Sequence, residues 1–289
     1  MIIDSHCHLE PVENPVDVMI RVMDAGGIDK TVLLAATSEN LPSVPAGLLA
    51  LGRGLLQSPL ASLARNLYED ATRSQPGKVK VSGKFYPIHA YPDNRPVAEA
   101  LRAHPDRFIG FVFLNPKGNP QVVAQLEQGV QEHGMRGVKA HSWWHDYDPG
   151  KLLLPVARRC QELGLPLLIH MGNRPDTGNI QALLDAVPDL KLILAHLGIP
   201  WFDRSWAQAK RYPNVYLDIS GPYLSARLVA KAARFVGPDK LIYGTDGPYG
   251  LRTADGLSYA PSKAWVEQLP IGHQDKEKIF SGNLLRLLG

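Results

Sequence analysis

Ile2-Ile3-Asp4-Ser5-His6-Cys7-His8 is the stretch that decides the fold, because it reads as a buried strand ending in a pair of histidines. Successive side chains of an extended strand point to opposite faces, so His6 and His8 project to the same side. Two imidazoles about 6–7 Å apart at a strand end can share one transition-metal ion. Ser5 and Cys7 fall on the other face, which argues against the thiol as a ligand.

The composition bounds the class of protein. With 289 residues and 45% apolar content, the chain can bury a large core, as two ordinary domains or as one large α/β barrel. A net charge of +3 and a pI near 8.8, without a run of like charges, indicate no nucleic-acid partner. Two cysteines suit a reducing compartment, and the sequence shows neither a signal-peptide pattern nor an apolar run long enough to cross a membrane. We therefore expect a globular, cytoplasmic protein.

Short apolar runs alternate with amphipathic stretches along most of the chain. The runs are apolar almost throughout, as in parallel strands covered on both faces, and helical spacing separates them, for example at 180–187 and 229–236. Eight such alternations over about 250 residues predict one α/β domain over 1–289, a (β/α)₈ TIM barrel. No Gly-x-Gly-x-x-Gly follows a strand, which disfavours an open doubly wound sheet. The predicted strands are Ile2–His6, Thr31–Ala36, Phe108–Leu114, Gly137–Ala140, Pro166–His170, Lys191–His196, Asn214–Ile219 and Lys240–Gly244.

An insertion, 38–91, interrupts this alternation after the second strand. Residues 48–56 and 60–68 have the pattern of two short helices, and a stretch with Lys and Gly, 78–84, follows. A loop that follows a barrel strand leaves from the end where active sites form. The insertion is therefore either a lid or pocket wall, or a dimerisation element or loose decoration.

Polar residues recur where the predicted strands end. A single histidine there is ordinarily a hydrogen-bonded core residue, and an Asp a turn former or helix cap. Here they recur at the end of the barrel where active sites form, and this recurrence predicts a metal-binding active site. His6, His8, His170 and Asp246 supply three nitrogens and one carboxylate, which suit Zn²⁺ best and tolerate Mn²⁺ or Fe²⁺. The full set is His6, His8, Lys139, His141, His170, His196 and Asp246.

These residues resemble the site of the amidohydrolase superfamily of metal-dependent barrels. Within it, the chain is similar to the amidohydrolase-related branch that includes aminocarboxymuconate semialdehyde decarboxylase and several lactone and dicarboxylate hydrolases. The resemblance extends over almost the whole chain outside the insertion. Besides the strand-end residues it includes the segments 107–110, 137–139, 195–198, 212–218 and 278–283.

The resemblance implies that His6, His8, His170 and Asp246 bind one divalent metal ion. It also implies that His196 is the base or acid that handles a metal-bound water. Lys139 matches a fourth-strand lysine that is carboxylated and bridges two metals in other branches. A site with two metal ions is therefore the alternative. The alternative for Lys139 is a barrel-interior lysine paired with a carboxylate.

TatD-type nucleases share the opening motif and the Thr-Asp after the last strand. They have a metal-bridging Glu on the fourth strand, where this chain has Lys139. Together with the absence of basic clustering, this difference disfavours a nuclease.

The expected chemistry is metal-dependent hydrolysis of a C–O or C–N bond in a small carboxylate, lactone or amide. Metal binding lowers the pKa of water from about 15.7 to about 7, so no nucleophilic side chain is needed, and no Gly-x-Ser-x-Gly is present. Asp246 or His196 would accept the water proton and return it to the leaving group. The alternative is non-oxidative decarboxylation of a small unsaturated or aromatic acid, and a third possibility is a metal-free barrel.

The predicted substrate-binding residues favour an anionic small molecule. Arg174, Arg53 and Arg252 are natural partners for a carboxylate, and Trp143 and Trp144 follow the fourth strand, where they could line a ring-shaped pocket. The first loop, 9–17, holds no Arg, which weakens the decarboxylase alternative unless Arg53 substitutes from the insertion. A homodimer is an expectation from the branch.

Overall fold

Eight parallel strands close into a barrel in the computed structural model, which describes residues 1–38, 41–73 and 75–289. Neighbouring strands pair in parallel around the ring, and the N–H of Ser5 donates to the carbonyl of Tyr243 at 3.0 Å to close it. The predicted TIM barrel is confirmed. Its strands are β1 (Ile3–Leu9), β2 (Lys30–Ala35), β3 (Phe108–Gly110 and Val112–Leu114), β4 (Val138–His141), β5 (Leu167–His170), β6 (Leu192–Leu194), β7 (Val215–Asp218) and β8 (Leu241–Ile242).

Several strand boundaries differ from the prediction. Strand β1 continues to Leu9, so His8 lies inside it, and β3 is interrupted at Phe111. Strand β6 ends at Leu194, because His196 and the residue after it adopt φ angles of 55° and 57° in a short 3₁₀ turn. A left-handed backbone cannot continue a strand. His196 therefore sits in a turn beyond its strand rather than at the strand's last position.

Helices form the outer layer, and most of them bury an apolar stripe against the strands. In the helix Ala226–Val236, for example, Val229, Ala232 and Ala233 are buried at helical spacing, and Ser225 caps the first turn by accepting from the N–H of Leu228 at 3.3 Å. No helix in the described ranges has the length and apolar content that a bilayer crossing requires. The helices outside the insertion are Val16–Gly26, Arg95–Ala103, Val122–Gln131, Pro149–Leu152, Leu154–Leu163, Gln181–Ala186, Phe202–Arg211, Ala226–Val236, Ala260–Glu267, His273–Glu277 and Asn283–Leu288, with a π-helical turn at Lys278–Gly282.

Two apolar layers stabilise the barrel. One lies between strands and helices, and the other fills the barrel interior with Ile3, Phe111, Ile193 and their neighbours. Leu284 and Leu287 of the last helix belong to the interior cluster. The polar strand ends therefore face the opposite mouth of the barrel.

Two helices and a hairpin make up most of the insertion. The helices are Ala46–Leu56 and Ala61–Thr72, where the sequence predicts two short helices. An antiparallel hairpin, Lys78–Val81 with Lys84–Pro87, follows. Residues 39, 40 and 74 of the predicted insertion 38–91 lie outside the described residues.

Gly137 precedes β4 at a point where no side chain fits. A Cβ there would lie 2.6–2.7 Å from three ring atoms of Phe111, whose side chain is fully buried in the barrel interior. We predict that Gly137→Ala lowers the free energy of unfolding by about 1–3 kcal/mol, as overpacking does, in urea denaturation. Gly272→Ala, whose Cβ would have no neighbour within 4 Å, should change it by less than about 0.5 kcal/mol. Equal effects of the two substitutions would contradict this account of the packing.

Candidate metal centre and active site

The barrel brings the predicted strand-end residues to one mouth. Ligand atoms of His6, His196 and Asp246 all lie within 4.8 Å of one another. Nε2 of His8 is 3.7 Å from Oδ1 of Asp246, and Nδ1 of His170 is 3.1 Å from Nε2 of His196. Residues that are up to 240 positions apart along the chain therefore form one cluster.

Hydrogen bonds fix the tautomers of the two β1 histidines. Nδ1 of His6 lies 2.7 Å from Oδ2 of Asp218, and Nδ1 of His8 lies 2.7 Å from the carbonyl of Ala35. Since these oxygens only accept, each ring donates from Nδ1 and keeps a lone pair on Nε2. Both Nε2 atoms face Oδ1 of Asp246, that of His6 at 3.4 Å. Two nitrogen donors and a carboxylate oxygen thus converge.

The same reasoning separates His170 from His196. Nδ1 of His196 lies 3.0 Å from the carbonyl of Ser220, so it donates there and its Nε2 carries a lone pair. That lone pair accepts from Nδ1 of His170, which leaves the lone pair of His170 on Nε2. The hydrogen bonds therefore favour His170 as the third nitrogen ligand and leave His196 beside the donor set. The predicted donor set, three imidazole nitrogens and one carboxylate, fits one divalent ion.

Asp218 and Ser220 organise this cluster, and the sequence analysis did not select them as site residues. Oδ1 of Asp218 accepts from the N–H groups of His196 at 2.8 Å and of Ser220 at 3.0 Å, as well as from the Ser220 hydroxyl. Burial alone would raise the pKa of Asp218, but His6, His196 and these donors hold it well below its usual range. Asp218 is thus an ionised acceptor. An acid at the end of β7 was the signal that could have identified it.

Asp246 is held in place by contacts to strand β1. Its N–H donates to the carbonyl of His6 at 2.6 Å, and the preceding Thr245 donates from both N–H and hydroxyl to the buried Asp4, at 2.9 and 2.6 Å. Asp246 has φ 59°, in the left-handed region that a residue other than glycine adopts at a cost of about 1–3 kcal/mol. Such strain persists because the surrounding contacts over-determine the backbone.

Burial keeps the imidazoles of the cluster neutral. It lowers the pKa of His6 from its ordinary 6.5 to about 4 and that of His196 to about 3, and it places the pKa values of His8 and His170 well below 6.5. Neutral imidazoles are the form that binds metal. Burial likewise raises the pKa of Asp246 well above its usual range.

Lys139 and His141 project from β4 into the same region. Nζ of Lys139 donates to Nε2 of His6 at 3.0 Å, and burial lowers the pKa of this lysine to about 8, although Asp246 and Asp218 oppose the shift. His141 stacks on His170 with ring centroids 4.1 Å apart. Lys139 thus adds a positive charge that interacts with Asp246 and Asp218.

A cavity of about 240 Å³ opens on this cluster. Its floor includes His8, His170 and Asp246, and its walls combine aromatic with aliphatic side chains. A cavity of about 150 Å³ holds benzene, so this one has room for a ring with a few substituents. The aromatic wall residues are Tyr68, Trp143, Trp144, Tyr223 and Tyr249.

The predicted arginines occupy different positions. Arg252 lines the cavity, where Glu13 and the carbonyl of Leu41 accept from its guanidinium. Arg174 instead bonds Asp146 at 2.6 Å, and also Glu69 and Asp176. Arg53 donates to the carbonyls of Pro222 and Leu224 at 3.2 and 3.0 Å. Of the three, only Arg252 is placed to face a ligand in the cavity.

The carboxylate of Glu69 tethers the insertion to the cavity wall. Oε2 of Glu69 accepts from Nε1 of Trp143 at 2.6 Å and from Nδ2 of Asn173 at 3.1 Å. Trp143 and Trp144 both line the cavity, as predicted from their position after β4. No sequence pattern indicated that an insertion residue would hold Trp143.

A TIM barrel whose mouth is rich in histidine and carboxylate side chains defines a class of metal-binding barrels. Comparison with known protein families identifies the family. Residues 3–289 match the family described as Amidohydrolase, and the chain belongs to this family of enzymes. The suspected superfamily is confirmed.

Several proteins that this chain is similar to are decarboxylases. Gamma-resorcylate decarboxylase from Polaromonas sp. is 25% identical over 248 residues, covering 66% of this chain and 73% of the relative. The structure of 2,6-dihydroxybenzoate decarboxylase from Rhizobium aligns with a TM-score of 0.61 at 18% identity over 99% of this chain and 98% of that one. A dihydroxybenzoic acid decarboxylase from Polaromonas sp., solved with manganese and 2-nitroresorcinol, aligns with a TM-score of 0.63 at 20% identity over 99% and 96%. At these identities the two structures establish the fold.

Replacing the Asp218 carboxylate by an amide should weaken metal binding. The amide oxygen would stay with the three donors that Oδ1 accepts from, so the amide NH₂ would face Nδ1 of His6 and favour the wrong tautomer. We predict that Asp218→Asn lowers manganese or zinc affinity by about 10–100-fold, and that His8→Ala lowers it further, in calorimetric titrations. His273→Ala, which alters an exposed histidine, is the control and should leave affinity unchanged. Wild-type affinity in Asp218→Asn would contradict the proposed role.

The buried histidines should make the metal-free protein lose stability in mild acid. In the unfolded state each histidine takes up a proton as the pH falls through its ordinary pKa of 6.5. In the folded state His6 takes up its proton only near pH 4. The unfolded state thus binds more protons in this window, and each histidine lowers the free energy of unfolding by up to about 1.4 kcal/mol per pH unit as pH falls. The raised pKa values of Asp4 and Asp246 act in the opposite direction, but the histidines whose pKa is lowered outnumber these two carboxyl groups. The six histidines with lowered pKa are His6, His8, His141, His145, His170 and His196.

Urea denaturation with chelator present measures this effect. The midpoint should fall steadily between pH 6.5 and pH 4.5. A flat or rising midpoint would contradict the neutral, buried state of the cluster.

Proposed function

We propose that this enzyme is a metal-dependent, non-oxidative decarboxylase of a small aromatic carboxylic acid. The observation that carries the proposal is a ring-sized cavity, walled by aromatic and aliphatic side chains, that opens beside a cluster of donor atoms suited to a divalent ion. The named relatives act as decarboxylases, which favours the alternative of the sequence analysis over its first choice, hydrolysis of a C–O or C–N bond. Hydrolysis is retained as the competing outcome of the test.

We assign one divalent ion to His6, His8, His170 and Asp246. Such an ion, when bound, would draw electron density from the carboxylate and a neighbouring oxygen of a substrate. Manganese is the ion in one aligned structure, whereas three nitrogens and one carboxylate also suit the zinc predicted from the sequence. Burial lowers the pKa of Lys139 only to about 8, so at neutral pH this residue is mostly an ammonium and not the neutral amine that carboxylation requires. We therefore favour a single ion over a lysine-bridged pair.

The chain's own residues would orient the substrate and manage the proton. Arg252, which lines the cavity, and Lys139, at its floor, supply positive charge toward an anionic substrate. Trp143 and Trp144 would offer aromatic surface for the ring to pack against. In the reaction the bond from the ring carbon to the carboxyl carbon breaks, CO₂ leaves, and the ring carbon keeps the electron pair and takes a proton. We assign the delivery of this proton to the carboxylate oxygen of Asp246 that does not bind the ion, since this residue lines the cavity.

His196 has a supporting position in this scheme. It accepts from His170 and donates to Ser220, so it fixes the His170 ring rather than facing the cavity. We propose that it holds the Nδ1 proton of His170, which keeps the Nε2 lone pair of that ring available to the ion. The predicted role of His196 as acid or base stays a prediction.

We propose that the insertion 38–91 is a wall of the substrate pocket. Leu41, Leu49, Val79 and Val81 line the cavity together with Tyr68. Closing the cavity with apolar residues excludes water, which strengthens the electrostatic interactions inside it.

Cytoplasmic location stays a prediction, consistent with the buried, unpaired Cys7 and Cys160.

A substrate panel distinguishes the two reactions. Purified protein reconstituted with manganese or zinc is given dihydroxybenzoates and other small aromatic acids, and separately lactones and amides, while CO₂ release and hydrolysis are followed. We predict CO₂ release from at least one aromatic acid, and its loss with chelator. Arg252→Gln should lower kcat/KM by about 100-fold, as losing a charged contact to the reacting group does, whereas the exposed Arg286→Gln should not. Lactone or amide hydrolysis without CO₂ release would contradict the proposal.

A further inference from the structure

The insertion contributes an apolar part of the cavity lining. Nine described residues of 38–91 line the cavity, seven of them have apolar side chains, and none of the nine is charged. The Lys, Asp and Arg side chains of the lining come from the barrel instead, since Lys139 lies on β4 and Asp246 and Arg252 follow β8. We call the seven apolar residues the insertion subsite: Leu41, Pro42, Val44, Ala46, Leu49, Val79 and Val81.

The hairpin of the insertion directs one of its faces toward the cavity. Its first strand, Lys78–Val81, alternates lysine with valine, so the two valines share one face and the two lysines the other. Val79 and Val81 line the cavity, and Val79 is buried, whereas Lys78 is exposed. The strand therefore presents apolar side chains to the cavity and charged ones away from it.

Packing within the chain leaves part of this apolar surface open to the cavity. Leu41 and Val79 belong to a small apolar cluster that is separate from the two clusters of the barrel. Val81, Trp144 and Tyr249 pack against this cluster but are only partly buried, and all three line the cavity. An apolar group of a ligand would extend the cluster and bury the surface that remains.

A polar group in the insertion subsite would find few partners. Among the nine lining residues of the insertion, only Ser43 and Tyr68 have a polar side chain. The hydroxyl of Ser43 already accepts from Arg252 at 3.4 Å, and so does the carbonyl of Leu41 at 2.6 Å. Burying a polar group without a hydrogen-bond partner weakens binding, whereas burying an alkyl group strengthens it.

We propose that the substrate is an aromatic carboxylic acid with a short alkyl substituent, which the insertion subsite holds. The assignment rests on the proposed function, which directs the carboxylate to the residues that would bind the ion. Since a cavity of about 150 Å³ holds benzene, about 90 Å³ of this cavity's 240 Å³ remain for substituents. The carboxylate takes part of that space, so the alkyl group is small. A ring with a second carboxylate or a hydroxyl at this end is disfavoured.

Phenylphosphonates test the subsite without turnover, because they present an anion to the ion and cannot lose CO₂. Wild-type protein loaded with manganese is titrated calorimetrically with phenylphosphonate and with derivatives that carry methyl, ethyl, hydroxyl or carboxylate at position 3 or 4. We expect binding to tighten about fourfold for each added alkyl carbon at one of these positions. At that position the hydroxyl and carboxylate derivatives should bind about tenfold or more weakly than the methyl derivative.

Variants of the hairpin strand assign the preference to the insertion subsite. Val79→Thr with Val81→Thr nearly keeps the side-chain shapes but adds hydroxyls, so the gain should fall to about twofold or less for each alkyl carbon. Lys78→Thr, on the other face of the same strand, is the control and should keep the wild-type gain. The wild-type titrations hold as a test even if the double variant does not fold.

The outcomes separate this proposal from the proposed reaction. No measurable binding, no gain from alkyl groups at either position, tighter binding of the hydroxyl or carboxylate derivative, or a wild-type gain in the folded double variant would each overturn the subsite. The release of CO₂ from aromatic acids is measured independently. An alkyl preference in the titrations without CO₂ release from alkyl-substituted acids would therefore support the subsite and contradict the decarboxylase.

Discussion

The hydrogen bond between Nδ1 of His6 and the ionised Asp218, 2.7 Å long and fully buried, is the contact on which the site depends. It fixes which nitrogen of His6 has a lone pair and aims that nitrogen at Asp246. A carboxylate behind a metal-binding histidine both selects the tautomer and makes the ring a better donor. Asp218 also accepts from the backbone of His196 and Ser220, so one side chain from β7 organises parts of three strand ends.

The barrel provides the strand-end geometry and the burial on which this hydrogen bond depends. Parallel strands bring their carboxyl ends to one mouth, and burial there keeps the histidines neutral. The left-handed backbone at His196 and Asp246 turns two residues inward just beyond their strands. Stability and function therefore use the same groups: the neutral imidazoles that suit a metal ion are the ones whose burial costs stability in acid.

Much of this arrangement could be predicted from the sequence, because strand periodicity and strand-end residues are local features. The TIM barrel and the positions of His6, His8 and His170 follow from them. The partners of the arginines do not, since Arg174 pairs with carboxylates from three separate segments and Arg53 with carbonyls beyond β7. A basic residue near a strand end is compatible with either a substrate contact or such an internal pair. Only the tertiary contacts distinguish the two.

The central claim is that one divalent ion is held by three imidazole nitrogens and one carboxylate at the barrel mouth. A crystal structure of the metal-loaded protein, with anomalous data collected at the absorption edge of the ion, measures this directly. The account predicts one anomalous peak about 2.0–2.3 Å from Nε2 of His6, His8 and His170 and from a carboxylate oxygen of Asp246, with His196 outside that distance. A peak ligated elsewhere, or one that excludes the β1 histidines, would contradict it.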